Sequence, residues 1–180
     1  MTRLNLGSGH QQISGWLGVD CDEAFSPDVL ANVEELPFED NSIEAIYASH
    51  VLEHVEYGSK ALQEWLRVLE PGGRLWVAVP DIVQVYYLWK HGAGWGEYNQ
   101  PIDEVYVNAT AFGANVIAKY VPEMNRIYGR PGHEHKQIFL FDMLVQRLIS
   151  AGYDEVCEVT TCPVRKIALG ETMAHGRKPT

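Results

Sequence analysis

Basic residues are scarce in this chain: 14 Lys and Arg stand against 24 Asp and Glu, giving a formal net charge of −10. That deficit leaves no broad cationic footprint for phosphate backbones, so nucleic acid is not an expected partner. Apolar runs are short as well. None approaches the roughly 20 residues that a transmembrane helix requires, and Arg3 to Asp22 contains no continuous apolar core of a secretory leader. The expectation is a cytoplasmic protein with no membrane role. Cysteine is limited to Cys21, Cys157 and Cys162. An odd number without a paired CxxC framework argues against a disulfide scaffold or a zinc site, and fits thiols in a reducing compartment. Internal repeats and low-complexity tracts are absent, and 180 residues suffice for one domain with a sizeable core.

What is present is an alternation of short apolar segments and turns. "RLNL" reads as a buried strand ending at Gly7, and "WLGVD" as a second strand, Trp16 to Asp20. "DVLANV" suggests a short third strand. "LPFEDNS" reads as a turn rich in side chains that bond the backbone. "IEAIYAS" (Ile43 to Ser49) is apolar enough for a strand buried on both faces. Between Ser59 and Leu69 the apolar residues Ala61, Leu62, Trp65, Leu66 and Leu69 recur at helical spacing. Ser59 is a candidate N-cap and "EPGG" a stop. "RLWVAVP" is a fifth strand, and "FDMLVQRLISAGY" an amphipathic helix closed by Gly152. "DEVCEVT" and "VRKIALGE" read as two last strands, too closely joined for a parallel crossover, hence an antiparallel hairpin at a sheet edge. The tail "AHGRKPT" is expected to fray. The whole predicts an α/β chain: a Rossmann-like, doubly wound, mostly parallel sheet with an antiparallel C-terminal hairpin and reduced helices near the N-terminus.

Ligands of such sheets bind beyond the carboxyl ends of the strands. Gly7, Ser8 and Gly9 stand at the end of the first strand, where glycine lets a ligand approach the backbone. Asp20 and Asp22 stand at the end of the second, where a carboxylate can accept both hydroxyls of a ribose. A dinucleotide fits poorly. Gln12 occupies the place of the third glycine in GxGxxG, and the gap from Gly9 to Asp20 is too short for a full helix. Without that helix N-terminus a pyrophosphate loses its main anion site. A nucleoside ligand without phosphate fits better.

Four segments in this order and spacing resemble the class I S-adenosylmethionine-dependent methyltransferases: "LNLGSG", "GVDCD", "NVEELPFEDNSIEAIYASHVLEHV" and "LEPGGRLWVAVPD". The resemblance is close over the first 80 or so residues and looser over the last 40. It implies S-adenosylmethionine as cofactor and methyl transfer as activity. It places Gly7 and Gly9, with Asn5 and Ser8 around them, against the methionine part and the sugar. It sets Asp20 on the ribose, and Asn32 and Val33 on adenine with Glu34 beside them. Ser49 and His50 would flank the methionine amino group and the methyl. Asn5 and Asn32 stand where the family usually has acids, and the helix between the first two strands is missing or cut to a turn. A compact subgroup of the family, some of it encoded among glycan-biosynthesis genes, is similar in that short connection.

In-line transfer from a sulfonium needs alignment above all, and a base where the acceptor is a hydroxyl. Candidates for that base are His50, His54, His133, His135 and Asp81. His133 and His135 could also hold a metal, but no third ligand has suitable spacing, and none is expected. The aromatic stretch from Tyr86 to Tyr128 falls within residues 81–136, read as an insertion that covers the cleft and selects a small-molecule or glycan acceptor. Local core or a homodimer interface is the alternative use of those rings. A non-catalytic S-adenosylmethionine-binding regulator or scaffold is the competing function.

Overall fold

The computed structural model describes residues 2–56, 58–91, 94–95, 100–101, 136–137, 139–160, 162, 164–165, 167 and 171–180. Its main sheet has seven strands in the order β3-β2-β1-β4-β5-β9-β8. The strands are β1 (Thr2–Leu6), β2 (Leu17–Asp20), β3 (Val29–Leu30), β4 (Ile43–Ser49), β5 (Leu69–Pro80), β8 (Asp154–Glu158) and β9 (Glu171–Arg177). Two-residue strands β6 (Gly94–Trp95) and β7 (Gln100–Pro101) pair separately. The pairs among β1 to β5 are parallel, whereas β9 runs antiparallel to both β5 and β8.

The helices are α1 (Gly58–Val68), α2 (Ile82–Lys90) and α3 (Phe141–Ala151). On α1 the apolar spacing buries Ala61, Leu62, Trp65 and Val68. Gly152 ends α3 in the left-handed region at φ 101°, and its N–H bonds the Ile149 and Leu148 carbonyls. Most of the core lies where α1 and α3 meet one face of the sheet, with Leu4, Leu6, Ile46, Leu75 and Val77 fully buried. Tyr153 fastens the two helices by donating its hydroxyl to the Leu62 carbonyl at 3.0 Å.

The other face is thinner. Its described apolar residues come from strands and loops: Tyr47, Ala78 and Met173, with Ile13, Trp16, Trp76 and Val164 packed against them. Residues 7–16, between β1 and β2, contain turns and no helix, as the short connection predicts.

Three expectations require correction. Ser59 is not the N-cap of α1, because the helix already includes Gly58. The last strand is not 164–171: Val164, Arg165 and Ile167, the described residues before Glu171, are in no strand, and β9 begins at Glu171. The tail does not fray. Residues Arg177 to Glu171 pair with Arg74 to Pro80 over the whole strand, so the polar tail becomes an inner strand between β5 and β8. Lys178 continues the attachment, its Nζ donating to Asn41 Oδ1 at 2.7 Å and the Leu69 carbonyl at 2.7 Å.

Candidate cofactor cleft

The carboxyl ends of β1, β2 and β4 open into one cleft of ≈ 340 Å³, which includes Gly7, Gly9, Asp20, Asn32, Val33 and His50 in its lining. The elements explain the gathering. Parallel pairing of β1 with β2 and β4 brings their carboxyl ends to one edge. The chain leaves β1 through Gly7 and Gly9, both left-handed at φ 59° and 49°. A Cβ on Gly7 would sit 2.4 Å from Val51 Cγ2, so this position admits no side chain. A Cβ on Gly9 would meet nothing within 4 Å, which leaves the cleft open above the turn.

Asp20 organises the turn. Its Oδ2 accepts from the Gly9 N–H at 2.9 Å and its Oδ1 from the Asp22 N–H at 2.9 Å. Each oxygen keeps a further lone pair for a ligand hydroxyl. Asn5 is buried below the turn and outside the lining; its Nδ2 donates to the Gln11 carbonyl at 2.9 Å. Ser8 is also buried, its N–H donating to the Val19 carbonyl. These two residues build the turn and do not face the cleft.

At the far wall Asn32 Oδ1 accepts from the Glu34 N–H at 2.9 Å, and the Val33 carbonyl accepts from buried Trp65 Nε1 at 2.9 Å. Glu34 Oε1 is buried and has no hydrogen-bond partner among the described residues. An acceptor left bare in a cleft costs free energy unless a ligand donor reaches it. The acceptor set therefore fits an adenosine: paired lone pairs at Asp20 for the ribose hydroxyls, and an unsatisfied carboxylate oxygen at Glu34 for an amino group.

The histidines separate. His133 and His135 lie outside the described residues. His50 and His54 both line the cleft, on the turn after β4. The surroundings of His50 favour the protonated ring over the base expected of it. Its Nε2 lies 2.8 Å from Glu171 Oε2 and its Nδ1 3.2 Å from Glu53 Oε1, with both carboxylates almost fully buried. Burial pulls the imidazole down, but hydrogen bonds to Glu171 and Glu53 and their charges outweigh it and lift it to about 9. At neutral pH the ring is protonated, with Nε2 donating to Glu171 and Nδ1 at ion-pair distance from Glu53. His50 also holds a left-handed φ of 56°, uncommon for a residue with a Cβ. His54 Nε2 lies 3.9 Å from Glu53 Oε1.

Two further expectations change. Ser49 is absent from the cleft lining and accepts from Arg165 Nη2 at 2.8 Å. Asp81 is outside the cleft lining and caps α2: its Oδ1 accepts from the N–H groups of Val83 and Gln84 at 2.9 and 3.2 Å. Of the nine aromatic residues in the Tyr86 to Tyr128 stretch, Tyr86 and Tyr87 have described side chains, 47% and 61% exposed on α2.

Residues that sequence reasoning missed are Phe25, Val51 and Lys136 in the lining, and behind it Glu171 and Arg165. Arg165 donates Nη1 to Glu171 Oε1 at 2.6 Å, Nη2 to Glu171 Oε2 at 2.7 Å and Nε to Tyr47 Oη at 2.6 Å. No motif marks either residue, since both depend on where β9 enters the sheet. A larger hollow of ≈ 520 Å³ lies on the outer side of the turn, but its lining does not reach the end of β4.

Residues 4–77 match the methyltransferase domain family. Among curated relatives, the ubiquinone/menaquinone biosynthesis C-methyltransferase UbiE of Bartonella bacilliformis is 36% identical over 96 residues, covering 50% of this chain and 35% of that protein. The same enzyme of Brucella canis is 44% identical over 71 residues, 36% of this chain and 26% of that protein. The chain thus matches about a third or less of the length of these relatives. Among solved structures, an S-adenosylmethionine-dependent methyltransferase of Methanosarcina mazei superposes with a TM-score of 0.61 at 18% identity, over 99% of this chain and 92% of that one. Phosphoethanolamine N-methyltransferase 2 of Haemonchus contortus, in complex with S-adenosyl-L-methionine, gives 0.59 at 12% identity, over 100% of this chain and 49% of that one. At these identities the structures establish the likeness of fold.

Proposed function

We propose that the chain is a class I S-adenosylmethionine-dependent methyltransferase, which binds S-adenosylmethionine in the cleft between Asp20 and His50 and methylates a small-molecule acceptor. The observation that carries this reading is the convergence of Gly9, Asp20, Asn32, Val33, Glu34 and His50 on one cleft, from four separate stretches of sequence. Asp20 takes the ribose hydroxyls on its remaining lone pairs. The Glu34 carboxylate takes the adenine amino group. The Val33 carbonyl is held by Trp65, so any backbone contact to adenine falls to its N–H. The Gly7 and Gly9 turn lies under the sugar and the methionine chain.

The bound cofactor would supply a carbon already activated by its sulfonium. Transfer breaks the S–CH₃ bond, forms the bond from acceptor to methyl, and leaves the electron pair on sulfur. The chain's share is alignment and the removal of water. Beside His50, His54 is the described histidine that lines this cleft, and it is the candidate to accept a proton where the acceptor must lose one. Lys136 lines the same cleft and its N–H donates to the Glu53 carbonyl at 2.7 Å, so its ammonium can serve the cofactor carboxylate. Most of 81–136, the expected substrate-covering insertion, lies outside the described residues. The UbiE relatives, by name, methylate carbon in quinone biosynthesis, which makes an electron-rich ring carbon one acceptor to try beside sugars.

The test is calorimetric titration with S-adenosylhomocysteine, with NADH as the rival ligand. We expect micromolar binding to the wild type, about tenfold or more weaker in Asp20→Asn and in Glu34→Gln. Binding of NADH alone, or equal binding by all three proteins, would sink the reading.

A further inference from the structure

The buried charges behind the cleft form a chain that links three elements. Glu53 and His50 sit on the turn after β4, Glu171 opens β9, and Arg165 comes from the stretch between β8 and β9. Arg165 grips both oxygens of Glu171 and reaches Ser49 and Tyr47 on β4. We infer that Arg165 and Glu171 are positioning residues of the cofactor cleft, acting through His50 to fix the turn that forms its wall. The inference rests on the cofactor reading above.

The geometry gives the reason. His50, Val51, His54 and Val55 line the cleft consecutively along this turn. The turn starts from the left-handed backbone of His50, which persists only where its surroundings over-determine it. Here they do: the His50 N–H donates to the Ala78 carbonyl of β5 at 2.9 Å, and carboxylates meet both ring nitrogens. Among the described residues, the charged groups facing the ring are Glu53 from its own turn and Glu171 from β9, with Arg165 behind Glu171 and His54 3.9 Å from Glu53. A singly protonated ring could serve only one of the two carboxylates. The other would be buried with one donor fewer, and the turn would repack. Glu171, supported by the bidentate grip of Arg165, keeps both bonds in place.

The test reads cofactor affinity and the ring separately. S-adenosylhomocysteine affinity is measured from pH 6 to 8.5 in wild type, in Glu171→Gln and in the double variant Glu171→Gln/Arg165→Met. The double variant removes the pair together, so no buried cation is orphaned if the single variant folds poorly. His50 is followed by NMR of its ring carbons. Wild-type affinity is expected to be flat across this range. Both variants should lose about tenfold in affinity between pH 6 and 8, while the His50 midpoint falls from about 9 toward its ordinary 6.5. A merely structural loss would lower affinity equally at every pH and overturn the inference, as would an unchanged His50 midpoint. Wild type that binds no S-adenosylhomocysteine at any pH overturns the cofactor reading, and this inference with it.

Discussion

His54 and His50 lie one helical turn apart in sequence and meet different chemistry. His50 has a carboxylate at each ring nitrogen, 2.8 and 3.2 Å away, and stays protonated at neutral pH. His54 lies 3.9 Å from Glu53, too far for a hydrogen bond of ordinary length. Among the described residues that line the cleft, His54 is the candidate base if one assists transfer. Replacing it with Gln should then lower turnover by about 10²-fold for an acceptor that must lose a proton. The effect on S-adenosylhomocysteine affinity should be much smaller. Steady-state rates across pH check this: the limb that rises with pH in the wild type should vanish in the variant. A variant that keeps both its rate and that limb would show that no base acts from this turn. The sequence alone cannot separate the two rings, because the carboxylate that commits His50 sits 121 positions away on β9.

The legible elements are those whose signal is local. β4 matches "IEAIYAS" residue for residue, because a strand buried on both faces is apolar along most of its length, here all but Glu44 and Ser49. The α3 stop is legible in Gly152, and the absence of a helix after β1 follows from the ten residues that separate Leu6 from Leu17. Gly7, Gly9 and Asp20 are legible for the same reason, since each lies at or just past the end of a recognisable strand, whereas Asn32, Val33 and Glu34 are reached only through the family resemblance. β9 was not. Its segment ETMAHGR carries Glu, Thr, His, Gly and Arg, and becomes a strand only because β5 and β8 pair with it on either side. Tertiary pairing overrides weak local preference there. Lys178 tests how firmly the tail is held. Its ammonium bonds Asn41 Oδ1 and the carbonyls of Arg67 and Leu69, at the C-terminal end of α1 and the start of β5. Lys178→Met should cost about 1–3 kcal/mol of stability, seen as a lower urea midpoint with an unchanged slope. An unchanged midpoint would mean that the β9 pairing alone holds the tail.

Across the molecule, Glu53, His50, Glu171 and Arg165 balance two negative against two positive charges in a region that joins β4, β9 and the approach to β9. That balance makes global stability depend on pH. Burial lowers the imidazole, but its bonds to Glu171 and Glu53 raise it overall, from 6.5 to about 9. A raised pKa means that the folded state holds this proton more tightly than the unfolded chain does. The stabilisation is therefore complete below about pH 6.5 and is lost as pH climbs to about 9. At 1.36 kcal/mol per pKa unit it amounts to about 3 kcal/mol. For a chain of this size that corresponds to a fall in Tm of about 6–12 °C across the window. Other groups titrate there too, so the comparison is with His50→Gln, which cannot gain or lose the proton. Thermal melts of both proteins from pH 6 to 9.5 should converge as pH rises, with the wild type losing its advantage between about 7 and 9. Parallel curves would mean that His50 titrates alike in the folded and unfolded chains, and that the four charges are not coupled to folding.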